Sequence, residues 1–152
     1  MEGVMTHLVA NLNEAETVLD YFNGFHDGFI KQLTIIAHDR FEARGVQASS
    51  ERLTLEITFA HYNYQHDTKP VNQLIKATFF EVMNLSLDFS GLSHEWSVNY
   101  VTFFETQRAL ESGLTAACLG LSLIQSRLNP RREWELHEDV RFTFNRAELE
   151  EL

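Results

Sequence analysis

Cysteine is almost missing from this chain of 152 residues: Cys118 stands alone, so no disulfide can close within it. Packing must hold the fold, and a domain of this length buries roughly 70% of its unfolded surface, enough for a core without staples. Proline (2) and glycine (7) are scarce as well, which excludes a disordered or low-complexity chain and favours one globular domain over residues 1–152. Basic residues are the third shortage. Lys and Arg number 12 against 22 Asp and Glu, for a formal net charge of −10, and the one adjacent basic pair is Arg131-Arg132. Binding to a phosphate backbone draws on clustered cations that release counterions, so nucleic acid and anionic membrane surfaces are set aside as partners. No apolar run approaches the ~20 residues that span a bilayer. Met1-Glu2-Gly3 opens without the basic, then apolar, pattern of a secretory leader, so the expected address is cytoplasmic.

Motifs of known chemistry are missing too. There is no His-Glu-x-x-His, no cysteine pair, no Gly-x-Ser-x-Gly elbow and no phosphate-cradling glycine loop. No catalytic residue, metal ligand or cofactor is assigned on sequence grounds. Cys118 sits among Ala116, Ala117, Leu119 and Leu121, the setting of a buried structural thiol.

What the chain does have is phenylalanine, 12 of them, and alternation of apolar with polar residues. Residues 4–12 read as a short strand or an unpaired arm. A helix follows: Asn13 as cap with Glu16 completing a capping box, then Ala15, Val18, Leu19 and Phe22 at helical spacing, and Asn23-Gly24 as the stop. From Gly28 the period becomes that of strands. Phe29, Leu33, Ile35 and Ala37 share a face that Lys31 interrupts, and Arg40 to Ser50 is a polar connection. Leu53, Leu55, Ile57 and Phe59 alternate with Arg52, Thr54, Glu56 and Thr58 as a half-buried strand. Further strands are expected at Ile75–Phe79 and Leu85–Phe89, with a bulge at Met83-Asn84 between them. After a turn at Ser90–His94, Trp96, Val98, Tyr100 and Phe104 alternate, and Arg108–Gly113 connects onward. Leu114–Leu128 reads as strand because Leu119, Leu121 and Leu123 alternate around Gly120 and Ser122, although its Ala and Leu content also suits a helix. The last strand places Trp134, Leu136, Val140, Phe142 and Phe144 on one face, with a bulge or edge position at Glu138; Ala147–Leu152 is expected to be a frayed acidic tail. The expected fold is mainly β (α+β by strict count): a curled antiparallel sheet or barrel-like sandwich of about six to eight strands with one short N-terminal helix.

Five of the 7 histidines precede an acid: His26-Asp27, His38-Asp39, His66-Asp67, His94-Glu95 and His137-Glu138-Asp139. Neighbours on a strand point to opposite faces, so such a dipeptide chelates one ion poorly there. His26-Asp27 is different, because it lies at a helix-to-strand corner between Gly24 and Gly28, where two successive side chains escape strict alternation. Either His26 buttresses that corner and Asp27 accepts turn N–H groups, or the pair belongs to a binding site. His61 continues the inward register of Leu53–Phe59, and Tyr62 and Tyr64 give the next loop the aromatic character of a contact surface. His26, Asp27, His61, Tyr62 and Tyr64 are therefore the candidate binding residues.

Phe25-His26-Asp27, after a short helix and before a β run, resembles a group of small β-rich bacterial domains marked by a Phe-His-Asp turn. In them Trp-Pro often precedes that turn; here Tyr21-Phe22-Asn23-Gly24 does. The similarity extends over residues 13 to 60, and some members are immunity proteins of polymorphic toxin systems. The resemblance implies an acidic protein that neutralises a toxin by binding it. Read from the residues alone, the leading expectation is a non-enzymatic binding protein with an acidic and aromatic surface and a basic protein partner. The alternatives are a ligand- or metal-binding β-barrel, with enzyme activity as one form, built around His26, Asp27 and His61, and a homodimer formed through strand edges.

Overall fold

The structure, a computed structural model, describes residues 5–42, 45–47, 53–63, 68–88, 98, 100–110 and 112–152. Strand β1 (Met5–Val9) leads into helix α1 (Leu12–Tyr21), a short 3-10 turn (Asn23–Phe25) and β2 (Phe29–Ile36). Then come β3 (Arg40–Glu42), β4 (Gly45–Gln47), β5 (Leu53–Tyr62), β6 (Asn72–Leu87), β7 (Tyr100–Ala109), β8 (Thr115–Leu128), β9 (Trp134–Phe144) and β10 (Arg146–Glu151). All pairings are antiparallel, and the sheet curls into a half-barrel, with β3 and β4 forming a separate hairpin.

One long strand, β6, forms its spine. One flank of β6 pairs first with β9 and then with β10: Met83 faces Thr143 and Phe80 faces Arg146 in one unbroken register, and Asn145 N–H donates to Phe80 O at 3.1 Å. The other flank of β6 takes β5, which takes β2. Beyond β9 lie β8 and β7, and beyond β10 lies β1. Helix α1 packs against both β1 and β7, burying Ala15 and Val18. Leu55, Ile57, Phe59, Ile75, Ala77, Phe79, Leu121, Leu123, Phe142, Phe144 and Leu149 all lie inside, each at most 1% exposed.

Several local expectations are corrected by pairing. The helix cap is Asn11 rather than Asn13: its side chain accepts Glu14 N–H at 2.8 Å, and Glu14 Oε1 accepts Ala10 N–H at 3.1 Å. The polar connection after Arg40 holds the β3–β4 hairpin. The two strands expected between Ile75 and Phe89 are one, β6, carrying left-handed Glu81 (φ 54) and Asn84 (φ 54), with the register shift at Met83–Ser86. Lys31 marks a second shift, which brings Ile30 and Leu33 to the same face and leaves Phe29 48% exposed. In β7 the core side is Val101 and Phe103, with Tyr100 exposed; β7 runs on through Arg108 to Ala109. Leu114–Leu128 is strand, as expected. In β9 the shift opposite Leu123/Ile124 buries both Asp139 and Val140, so Trp134 and Leu136, on the far side of it, are 71% and 61% exposed rather than inside. The frayed tail is instead β10, which sends Ala147 and Leu149 into the core between β1 and β6. Phe89, the turn at 90–94 and Trp96 lie outside the described residues.

Two glycines hold close approaches of different kinds. A Cβ on Gly28 would stand 2.7 Å from the carbonyl oxygen of Ala60 and 3.2 Å from that of Phe25, both backbone atoms. A Cβ on Gly120 would stand 2.2 Å from Cζ of Phe104, its cross-strand partner, whose ring covers the bare backbone. Backbone cannot yield without moving a strand, whereas a ring can turn aside. Gly28→Ala is expected to cost about 2–3 kcal/mol and Gly120→Ala about 1 kcal/mol, and only the second cost should vanish in a Phe104→Ala background. Denaturant unfolding of the single and double variants measures both; a Gly28→Ala protein as stable as wild type contradicts the assignment.

Candidate functional site

The corner from helix to sheet is built from left-handed backbone. Asn23 (φ 50), Gly24 (φ 63), Phe25 (φ 57) and Asp27 (φ 65) all occupy that region. Asn, Asp and Gly visit it readily, but Phe does so only at a cost of roughly 1–2 kcal/mol. Burial offsets it: Phe25 is 1% exposed, with its ring stacked on Phe59 (centroids 4.3 Å) and on Phe22 (5.1 Å). Gly28 N–H closes back on Phe25 O at 3.2 Å, and Gly28 O accepts Val98 N–H at 2.8 Å. The chain therefore leaves the corner beside the end of β5, with Asp27 pushed out toward solvent.

There a cleft of about 350 Å³ opens, lined by Asp27, Phe29, Ala60, His61, Tyr62, Asn72, Gln73 and Leu74. Three of the sequence candidates, Asp27, His61 and Tyr62, meet in it. His61 is 4% exposed and packs edge-on against Phe22 and Phe25, while Tyr62 stands 43% exposed. His26 does not line the cleft; its side chain is about half exposed, with Nε2 3.6 Å from Asp27 Oδ1. Tyr64 lies outside the described residues. Phe29 and Tyr62 supply apolar rings, Asp27 supplies a negative charge, and no Lys or Arg lines the wall among the described residues.

Behind Gln73 sits a buried carboxylate on β10, the segment expected to be a frayed tail. Glu151, its side chain 3% exposed, accepts from His7 Nε2 (2.9 Å), Gln73 Nε2 (3.0 Å), Lys69 Nζ (3.2 Å) and Tyr21 Oη (3.4 Å). Burial alone pushes this carboxyl up, but the bonds from His7, Gln73 and Lys69 outweigh it and hold Glu151 below its ordinary value. The bond to Glu151 raises Lys69 in turn. The available signal was parity, since Glu151 follows Ala147 and Leu149 at intervals of two.

A second polar cluster lies where the β9 bulge throws Asp139 inward. Asp139 is 1% exposed, and Arg127 bonds both its Oδ1 and the Asp88 carbonyl. His137 reaches Asp139 Oδ1 through Nδ1 (2.6 Å) and Asp88 Oδ2 through Nε2 (3.3 Å). Arg127 thereby neutralises a carboxylate that would otherwise be stranded in the interior. Among the described residues no group of three or more His, Cys, Asp or Glu is placed to hold a metal ion, and no helix is long and apolar enough to cross a membrane. No family model matches the chain, and no curated protein or solved structure is found similar to it.

The Glu151 bonds have a pH signature. A carboxyl held low adds stability that is complete above its ordinary value of 4.5 and is lost as pH falls through the folded value. At about pH 7, Glu151→Gln is expected to be less stable than wild type by about 1–3 kcal/mol, and the gap to shrink toward about pH 3. Urea unfolding at the two pH values reads this out, and a gap unchanged in acid contradicts it.

Proposed function

We propose that this is a non-enzymatic binding protein that docks a basic partner protein through the cleft between the helix–sheet corner and the ends of β5 and β6. The observation that carries this is the cleft's composition: the Asp27 carboxylate beside exposed Phe29 and Tyr62 rings, with no cationic side chain among the described residues of the lining. A cation approaching it meets opposite charge and aromatic faces together, a pairing that favours Lys and Arg side chains. The formal charge of −10 draws a basic partner at long range before those contacts form. An immunity-like role, with a basic toxin as the partner, is the specific form suggested by the Phe25-His26-Asp27 turn.

The test is a titration of the protein with an unstructured peptide rich in Lys and Arg and free of Asp and Glu, followed by tryptophan-independent calorimetry. Binding is expected to weaken with added salt, and Asp27→Asn and Tyr62→Ala are each expected to cost about 1–2 kcal/mol of affinity. Binding indifferent to salt, or to both substitutions, overturns the proposal.

A further inference from the structure

We propose that Met5 is a site of reversible oxidation whose sulfoxide oxygen is received by Lys69 and Tyr21, so that oxidation fastens strand β1 to the body of the fold instead of loosening it. Nothing in this depends on what the cleft binds.

Among the described residues β1 pairs with one strand, β10, in a register that sets Met5 opposite Glu151. Met5 is 48% exposed, so a small oxidant reaches it. Two donors already face its sulfur: Lys69 Nζ at 3.7 Å and Tyr21 Oη at 4.0 Å. They stand side by side, because both also reach Glu151 Oε1, at 3.2 and 3.4 Å. A thioether sulfur is a weak acceptor, and its two contacts are correspondingly long. Lys69 carries three N–H donors, so serving Glu151 leaves others for Met5. An ammonium and a hydroxyl are thus brought to a group that makes poor use of them.

Oxidation by hydrogen peroxide changes that. A sulfur lone pair bonds to one peroxide oxygen as the O–O bond breaks, and the other oxygen departs as water after taking the proton from the oxygen now on sulfur. The thioether loses two electrons and the peroxide gains two. The sulfoxide oxygen is a strongly polar acceptor about 1.5 Å out from the sulfur; turned toward the donors, it comes within hydrogen-bond reach of both. Elsewhere a sulfoxide disrupts packing, because a polar group replaces an apolar one. Here the oxygen meets a cation, and such charge-assisted bonds are roughly twice as strong as neutral ones. The bridge runs from β1 to α1 and to the segment that leads into β6. Sulfoxide reductases return the product to methionine, which makes the change reversible. Met83 supplies the contrast: it is only partly exposed, and the donor facing its sulfur, Arg108 Nη1 at 3.8 Å, is already bonded to the Glu81 carbonyl at 3.2 Å.

The full chain is treated with hydrogen peroxide while peptide mass spectrometry follows each methionine and hydrogen exchange follows the β1 amides bonded to β10. Met5 is expected to oxidise before Met83, and exchange in β1 to slow by about tenfold once it has. Met5→Leu, which has no sulfur to oxidise, should show no change in β1 under the same treatment. In Lys69→Leu, which lacks the ammonium, oxidation should no longer slow exchange. Tyr21→Phe, which keeps the ring and loses the hydroxyl, should reduce the slowing and decides the matter if Lys69→Leu does not fold. Exchange that is unchanged or faster in the oxidised wild type overturns the proposal, as does slowing that persists in full in Lys69→Leu and Tyr21→Phe or appears in Met5→Leu. Oxidation of Met83 ahead of Met5 overturns the access assigned to Met5.

Discussion

Phe25 stacks on Phe59 with ring centroids 4.3 Å apart while its own backbone is left-handed, at φ 57. The two facts depend on each other. Left-handed backbone costs a phenylalanine roughly 1–2 kcal/mol. Burying the ring contributes roughly 1.5–3 kcal/mol, and the aromatic contacts about 1 kcal/mol more. The corner holds because packing exceeds strain. With it the chain reverses within a few residues of α1, Gly28 passes under the Ala60 carbonyl, and Asp27 comes to rest at the mouth of the cleft beside His61.

The half-barrel curls because its long strands are interrupted. Glu81 and Asn84 in β6, and the register shifts at Lys31 in β2 and opposite Leu123/Ile124 in β9, each add local twist at the cost of a ladder bond. Every shift also changes which residues face inward. Two polar clusters are buried with the apolar core, Glu151 with Gln73 and Asp139 with Arg127. Each buried carboxylate is met by a cation and by further donors, as burial of charge requires.

Much of the fold was legible in the residues. The inward residues of β5, together with Leu119, Leu121 and Leu123 of β8 and Val140, Phe142 and Phe144 of β9, follow from alternation, because a strand sends every second side chain to the same face. The stop at Asn23-Gly24 was legible from conformational preference. The inward register of His61 was legible too, and it led to the cleft. The rest was not. Trp134 and Leu136 share parity with Val140 and Phe142, yet they face solvent, because one extra residue at the bulge inverts the phase. The tail looked solvated because half its residues are acidic; Ala147 and Leu149 enter the core because β1 and β6 stand on either side of it.

Composition and periodicity by themselves determined the class: an acidic, phenylalanine-rich chain of antiparallel strands behind one helix, with a tight corner at residues 23 to 28. Those properties are local, since each is set by a residue and its near neighbours. Only the tertiary structure decided that Asp27 meets Tyr62 across a cleft, that Gln73 is turned by Glu151, and that His7 reaches a carboxylate 144 residues away. Such contacts follow from strand order and bulge placement, which depend on the packing of the whole sheet and leave no periodic trace in the segments they join.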